Sequence, residues 1–220
     1  MSREPISRRR ALGLLGLGAA SVAAGTTGWA TGLSARRAVP GLSPGASGQL
    51  LAEPLELASR AGVLSVQLTA APGIRLAGRD TIAWGFNGTS PGPTLRVRPG
   101  DLVRIRLVNH LGQATNLHTH GMHVSPQDNG DNPFLRIDPG TSFDYEIRIP
   151  LDHPAGTFWY HPHHHGTVAD QIFAGLAGAL LVDGGPVLAQ RDRVMLVTDT
   201  TLDSDARVAP VETMTRMRGR

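Results

Sequence analysis

The sequence contains no cysteine among its 220 residues. Within this chain, that absence excludes disulfide bonds, iron–sulfur clusters, thiolate zinc sites, cysteine nucleophiles and a blue-copper centre, which needs a cysteine ligand. Aromatic residues make up only 5%, whereas 27 glycines and 16 prolines indicate many turns rather than long helices. With 40% hydrophobic residues, the chain is long enough for one ordinary domain and part of a second.

Lysine is also absent, and the arginines are unevenly distributed. Six of the 21 arginines and one of the 18 acidic residues lie in residues 1–48. The remainder of the chain therefore carries 15 arginines against 17 acidic residues, a net charge of −2. A nucleic-acid-binding protein needs a basic face on its folded part, so the charge distribution argues against a nucleic-acid partner.

Residues 1–32 are predicted to be an export signal. Arg8, Arg9 and Arg10 precede a run of small and apolar residues through Ala24, which is typical of bacterial secretory signals. The paired arginines favour the twin-arginine type, with a retained membrane anchor as the alternative. We therefore expect a protein exported across the cytoplasmic membrane, extracellular or in the cell envelope. Residues 33–60, rich in proline, glycine, serine and alanine, are expected to form a linker.

Short β-prone runs separated by turn signals predict an all-β fold for residues 61–186. In residues 102–108, Val103, Ile105 and Leu107 alternate with more polar positions, which indicates one buried face. The other predicted strands are residues 63–69, 81–86, 94–97, 142–149, 156–161 and 176–183, and a further strand is predicted beyond this region at residues 193–198. Only residues 168–173 are predicted to form a helix. This pattern favours an antiparallel Greek-key β-sandwich of seven or eight strands with a short helix.

All nine histidines lie between His110 and His165, about a quarter of the chain. Two His-x-His motifs stand out, and their members are His118 and His120, then His161 and His163. Residues i and i+2 of an extended chain point to the same side, so each pair presents two imidazoles to one side. Two such pairs on neighbouring strands would surround one cavity, and an all-imidazole site without cysteine favours copper or zinc.

The remaining histidines have simpler interpretations. His110, His123 and His153 are each expected to be surface residues or hydrogen-bonded core residues. His164 is expected to point away from the cavity, because it has the opposite parity to His161 and His163. His165 has the right parity but lies beyond the pair, so it is expected to orient a ligand rather than bind metal.

The sequence resembles the N-terminal cupredoxin domain of multicopper oxidases, the group that includes laccases and copper-tolerance oxidases. The resemblance covers residues 63–183. It rests on an ordered set of motifs: WGFNG at 84–88, PGP at 91–93, PGD at 99–101, LHTHG at 117–121, DPG at 138–140, GTFWYHPH at 156–163 and GLAG at 175–178.

The resemblance implies half of a trinuclear copper cluster that reduces dioxygen to water. Such clusters lie between the first and last domains of the family and use four His-x-His pairs, two of which this chain carries. By position, His118 would bind the type 2 copper, and His120, His161 and His163 would bind the type 3 pair. Residue patterns alone do not assign the ligands to individual coppers.

The family also places an acidic residue near the cluster to deliver protons. Asp131 is the candidate catalytic residue, with Asp128 as the alternative. Both lie in a loop rich in asparagine and glycine, where acidic residues also commonly form turns.

The chain departs from the family in one large respect. The family's type 1 copper needs a cysteine ligand, and this chain contains no cysteine. We expect residues 187–220 to begin a second, truncated cupredoxin domain, and the chain alone to be inactive. A C-terminal cupredoxin domain or another subunit would complete the cluster. Dioxygen and an unidentified electron donor would be the substrates of the full-length protein. The alternatives are a stand-alone copper-binding or carrier module without oxidase activity, and an adhesion domain whose histidines are incidental.

Overall fold

A computed structural model describes residues 53–76, 79–186 and 192–209 of the chain. They belong to one compact unit, Ala52–Arg220. The predicted export signal at residues 1–32 and most of the predicted linker lie outside the described residues.

A five-stranded sheet carries both histidine motifs. Its strands lie in the order β1, β6, β11, β10, β8. They are β1 (Glu56–Ala58), β6 (Thr94–Val97), β8 (His118–His120), β10 (Gly156–His161) and β11 (Gly178–Val182). β8 is the edge strand, so one side of the first histidine motif has no further strand beside it among the described residues.

A four-stranded sheet forms the second layer. Its strands lie in the order β5, β2, β7, β9. They are β2 (Val63–Pro72), β5 (Trp84–Phe86), β7 (Leu102–Asn109) and β9 (Ser142–Arg148). A separate small hairpin of β3 (Arg75–Leu76) and β4 (Arg79–Asp80) lies between β2 and β5 in the chain. Eight strands of the two sheets fall between residues 63 and 185 in the described part of the chain, which agrees with the predicted all-β sandwich.

The apolar core lies between the two sheets and contains the residues that the alternation predicted. Val103, Ile105 and Leu107 on β7 are buried, and Tyr145 and Ile147 on β9 join them in the same cluster. The five-stranded sheet contributes Leu95, Val97, Tyr160, Leu180 and Val182. The sandwich therefore forms because each sheet has one apolar face that must be removed from water.

The predicted short helix is confirmed as α1 (Val168–Phe173). Its Gln171 is fully buried and donates from Nε2 to the Ala114 carbonyl oxygen at 2.8 Å. Thr115 donates from Oγ1 to Gln171 Oε1 at 2.7 Å. The helix thus holds the segment that leads into β8 and the first histidine motif.

Three expectations about the strands need correction. The sandwich is mixed rather than antiparallel, because β1–β6, β6–β11 and β2–β7 run parallel. Residues 56–58, within the predicted linker, form β1, whose three residues are too short a run to show a β period. Residues 193–198 form no strand, because in the described part of the chain no strand lies beside them to accept a ladder of hydrogen bonds.

The core next to the second histidine motif is sensitive to one added methyl group. A Cβ at Gly178 would lie 2.2 Å from Tyr160 Cζ, and Tyr160 is fully buried with its hydroxyl donating to the Pro93 carbonyl oxygen at 2.7 Å. We expect Gly178→Ala to lower the free energy of unfolding by about 1–3 kcal/mol in urea denaturation. Gly112→Ala, whose Cβ would meet no atom within 4 Å, should change it by less than about 0.5 kcal/mol. Equal losses in the two variants would contradict this account.

Candidate metal centre

The pairing of β8 with β10 places the two histidine motifs side by side. The strands run antiparallel, with His118 opposite His161 and His120 opposite Trp159. Because alternate residues of a strand share a face, this register turns all three imidazoles to the same side of the sheet edge.

The four predicted ligands come together in one cluster. One nitrogen from each of His118, His120 and His161 lies within 4.8 Å of the other two. His163 lies two residues beyond the end of β10, and its ring centroid is 5.1 Å from that of His118 and 6.2 Å from that of His161. His161 is buried, whereas His120 and His163 are exposed. The cluster is therefore built on the sandwich and open to solvent on one side.

The environment of His161 keeps its imidazole neutral. Burial lowers the pKa of His161 to about 4. The neighbouring histidines also lower this pKa, whereas the hydrogen bond to Pro162 raises it. Its Nδ1 donates to the Pro162 carbonyl oxygen at 2.8 Å, so Nε2 carries no proton and its lone pair can accept a hydrogen bond or bind a metal ion. That Nε2 lies 3.1 Å from His120 Nδ1. A neutral imidazole with one unprotonated ring nitrogen is the form that binds metal ions.

Asp131 contacts the Nδ1 atom of His118 and orients its imidazole ring. The carboxylate is buried, its Oδ2 lies 3.0 Å from His118 Nδ1, and its Oδ1 accepts from the backbone N–H of Thr119 at 2.9 Å. Because a carboxylate only accepts, Nδ1 of His118 donates and Nε2 is left free. Carboxylate–histidine pairs of this kind orient metal ligands. Asp128, the alternative acid, is exposed and has a φ of 52°, as expected of a turn residue.

Trp159 is a site residue to which we assigned no role from the sequence. Its ring stacks on that of His161 at a centroid distance of 4.0 Å and on that of His120 at 5.0 Å. The sequence contained a signal for this contact, because Trp159 and His161 are two residues apart in a predicted strand and so share a face. The indole therefore packs against two of the four imidazoles.

The other histidines do not join the cluster. His153 is buried with both ring nitrogens bonded, since Nδ1 donates to the Pro154 carbonyl oxygen and Nε2 accepts from the backbone N–H of His123. His164 contacts Thr167 Oγ1 through Nδ1 at 3.3 Å. His110, His123 and His165 are exposed and have no ring contact with the four clustered imidazoles in the described part of the chain.

The family profile described as "Multicopper oxidase" matches residues 69–186, which is more than half of the chain. This chain belongs to the multicopper oxidase family. A multicopper oxidase of Staphylococcus haemolyticus is 37% identical over 99 residues, which cover 45% of this chain and 22% of the relative. Copper resistance protein A of Pseudomonas syringae is 32% identical over 133 residues, which cover 58% of this chain and 21% of the relative. The matched part of the chain therefore spans less than a quarter of the length of these multicopper oxidase relatives.

Solved multicopper oxidase structures share the fold. That of Campylobacter jejuni is 38% identical with a TM-score of 0.54, covering 61% of this chain and 29% of the other. That of Pseudomonas parafulva is 33% identical with a TM-score of 0.57, covering 66% and 36%. The sandwich is thus a multicopper oxidase cupredoxin domain, the family is one of oxidoreductases, and copper is the metal it implies. An imidazole set without thiolate fits copper by donor chemistry.

The Asp131 contact predicts a tautomer of His118 that can be measured without metal. In the wild-type protein we expect the proton on Nδ1. In Asp131→Asn, the amide can keep its oxygen toward Thr119 N–H and present NH₂ to Nδ1, which favours the proton on Nε2. Nitrogen-15 NMR of the histidine rings distinguishes the two tautomers. Asp128→Asn is the matched control and should leave His118 unchanged; an unchanged tautomer in Asp131→Asn would refute the assignment.

Proposed function

We propose that this chain supplies half of the histidine ligands of an oxygen-reducing trinuclear copper cluster. The observation that carries the proposal is the convergence of His118, His120 and His161 nitrogens within 4.8 Å, with the ring of His163 beside them. His118 would hold the type 2 copper, and the other three the type 3 pair. The free Nε2 of His118 and the neutral, lone-pair-bearing Nε2 of His161 support binding at these atoms.

The chain's own residues would position the metal ligands and a proton. When bound, copper supplies one-electron and dioxygen chemistry. His120 and His161 share a hydrogen bond between Nδ1 and Nε2 at 3.1 Å, and both residues would hold copper. We propose Asp131 as the acid that carries protons near the cluster, because it is a buried carboxylate in contact with His118, whereas Asp128 is exposed. Trp159 covers one side of the imidazoles and limits their rotation.

The remaining ligands would come from another cupredoxin domain, in a longer protein or in another subunit. The exposure of His120 and His163 leaves the cluster open on the side where such a partner would lie. The multicopper oxidase relatives are several times longer than the matched region, which is consistent with further domains. Dioxygen and a reducing substrate would be the reactants of the complete enzyme.

We also propose export across the cytoplasmic membrane, on the basis of the arginine-led apolar segment at residues 1–32. Of the helical segments that the structure describes, none has the length and apolar character of a membrane span.

Trp159 provides a direct optical test of copper binding at the cluster. Cu(II) bound to His120 or His161 would lie next to the stacked indole and quench its fluorescence, whereas Zn(II), which is not redox-active, would not. We expect saturable quenching by Cu(II) that disappears in Trp159→Phe and persists in Trp84→Phe, whose side chain lies on β5 of the other sheet.

The histidine variants of the same titration identify the ligands. His120→Ala should weaken Cu(II) binding by at least about tenfold. His110→Ala, which changes another exposed histidine that lies outside the cluster, is the matched control and should bind as the wild-type protein does. Equal affinities in the two variants, or quenching that survives in Trp159→Phe, would place copper elsewhere and overturn the proposal.

We expect the copper-loaded 220-residue chain to show no oxidase turnover by itself. It offers four clustered imidazoles, and no cysteine is available to form the thiolate–copper centre that receives substrate electrons in the family. Oxygen consumption with a phenolic or cuprous donor should equal that of buffer containing the same free copper. Turnover above this control would show that copies of the chain complete the cluster for one another.

A further inference from the structure

Asn116 connects the two histidine motifs through a side chain that is fully buried. Its Oδ1 accepts from the backbone N–H of His163 at 2.6 Å. Its Nδ2 donates to the carbonyl oxygens of Pro133 and Leu135 at 2.9 and 3.0 Å. Both amide hydrogens and the amide oxygen are therefore used, which is the full complement expected of a buried asparagine.

His163 needs such support more than the other clustered histidines do. His118, His120 and His161 lie within β8 and β10, where the strand register sets their positions. His163 lies past the end of β10, is exposed, and has no strand pairing among the described residues. The bond to Asn116 is the backbone contact that ties it to the segment just before His118.

We infer that Asn116 is a positioning residue that holds His163 in ligand geometry relative to His118, His120 and His161. This inference rests on the proposed function, because it concerns the fourth ligand of the same cluster. The carbonyl oxygens of Pro133 and Leu135 fix the orientation of the Asn116 amide by accepting from its Nδ2. In this orientation, Oδ1 points at the His163 N–H. Loss of Asn116 should free the 162–163 backbone while leaving the strand-borne ligands in place.

Asn109 provides a matched control in the same domain. It is also fully buried, donates from Nδ2 to the Gln113 and Ile137 carbonyl oxygens at 2.9 Å each, and accepts at Oδ1 from the Leu111 N–H at 2.9 Å. Its bonds have the same chemistry as those of Asn116 but involve no histidine of the cluster. Asn116→Ala and Asn109→Ala should therefore both lower the melting temperature, and only the first should affect the site.

The first measurement is the Cu(II) dissociation constant of the full 220-residue chain, with the metal alone as probe. We expect Asn116→Ala to raise it by about 10- to 100-fold, as is typical when a partner that orients a ligand is lost. Asn109→Ala should change it less than threefold. His163→Ala should weaken binding in the wild-type background and add little in the Asn116→Ala background, because both changes act through the same ligand.

The second measurement needs no metal. The His163 backbone N–H should exchange slowly with solvent in the wild-type protein and in Asn109→Ala, and faster in Asn116→Ala. Asn116→Leu has nearly the size and branching of asparagine but no acceptor for this N–H. It should therefore speed the exchange as alanine does while leaving a smaller cavity, and it serves as a second variant if Asn116→Ala folds poorly.

The outcomes separate this inference from the proposed function. Equal copper affinities in Asn116→Ala and Asn109→Ala, or an undiminished effect of His163→Ala in the Asn116→Ala background, would overturn the positioning role. If the wild-type chain binds no copper at the cluster, the proposed function fails. In that case His163 amide exchange decides whether Asn116 holds His163: faster exchange only in Asn116→Ala supports the contact, and unchanged exchange overturns it.

Discussion

The antiparallel register between β8 and β10 is the constraint on which the site depends. It sets His118 opposite His161 and His120 opposite Trp159. A slip of one residue would turn the histidines of β8 to the opposite face, because the side-chain period of a strand is two. β8 has only three residues and lies at the sheet edge, so its own ladder is a weak determinant of register.

Hydrogen bonds from buried polar groups help to fix the register of β8, which is too short to maintain it alone. The Leu117 N–H donates to the Tyr145 hydroxyl at 2.9 Å, and the Thr119 N–H donates to Asp131. Burial raises the pKa of the Tyr145 hydroxyl, and the hydrogen bond from Leu117 lowers it. Because burial has the larger effect, the pKa is raised and the hydroxyl stays neutral. These two backbone donors next to and within β8 therefore each have a specific side-chain partner, and leaving either unpaired in the core would be costly.

These contacts divide the site into a fixed inner side and an open outer side. Asn116, Asp131 and Gln171 are buried and bonded, so the backbone that carries the histidines is held from within the sandwich. His120 and His163 are exposed, so under the proposed function the side of the cluster that would hold metal is open to another domain. Such a shared ligand set would be served by this division, because a site is most precise when its ligands are held by rigid elements.

The sequence alone determined the layers and the ligand candidates. Alternation in residues 102–108 identified the buried face of Val103, Ile105 and Leu107, and the two His-x-His motifs identified the residues that cluster. These features are local, since they depend on a period of two along one strand. The tertiary structure decided which strands run parallel, that residues 193–198 form no strand, and that Asn116 reaches His163 across 47 positions. Such choices depend on partners distant in the chain, so no local pattern encodes them, and a buried amide shows its role only when the groups around it are in place.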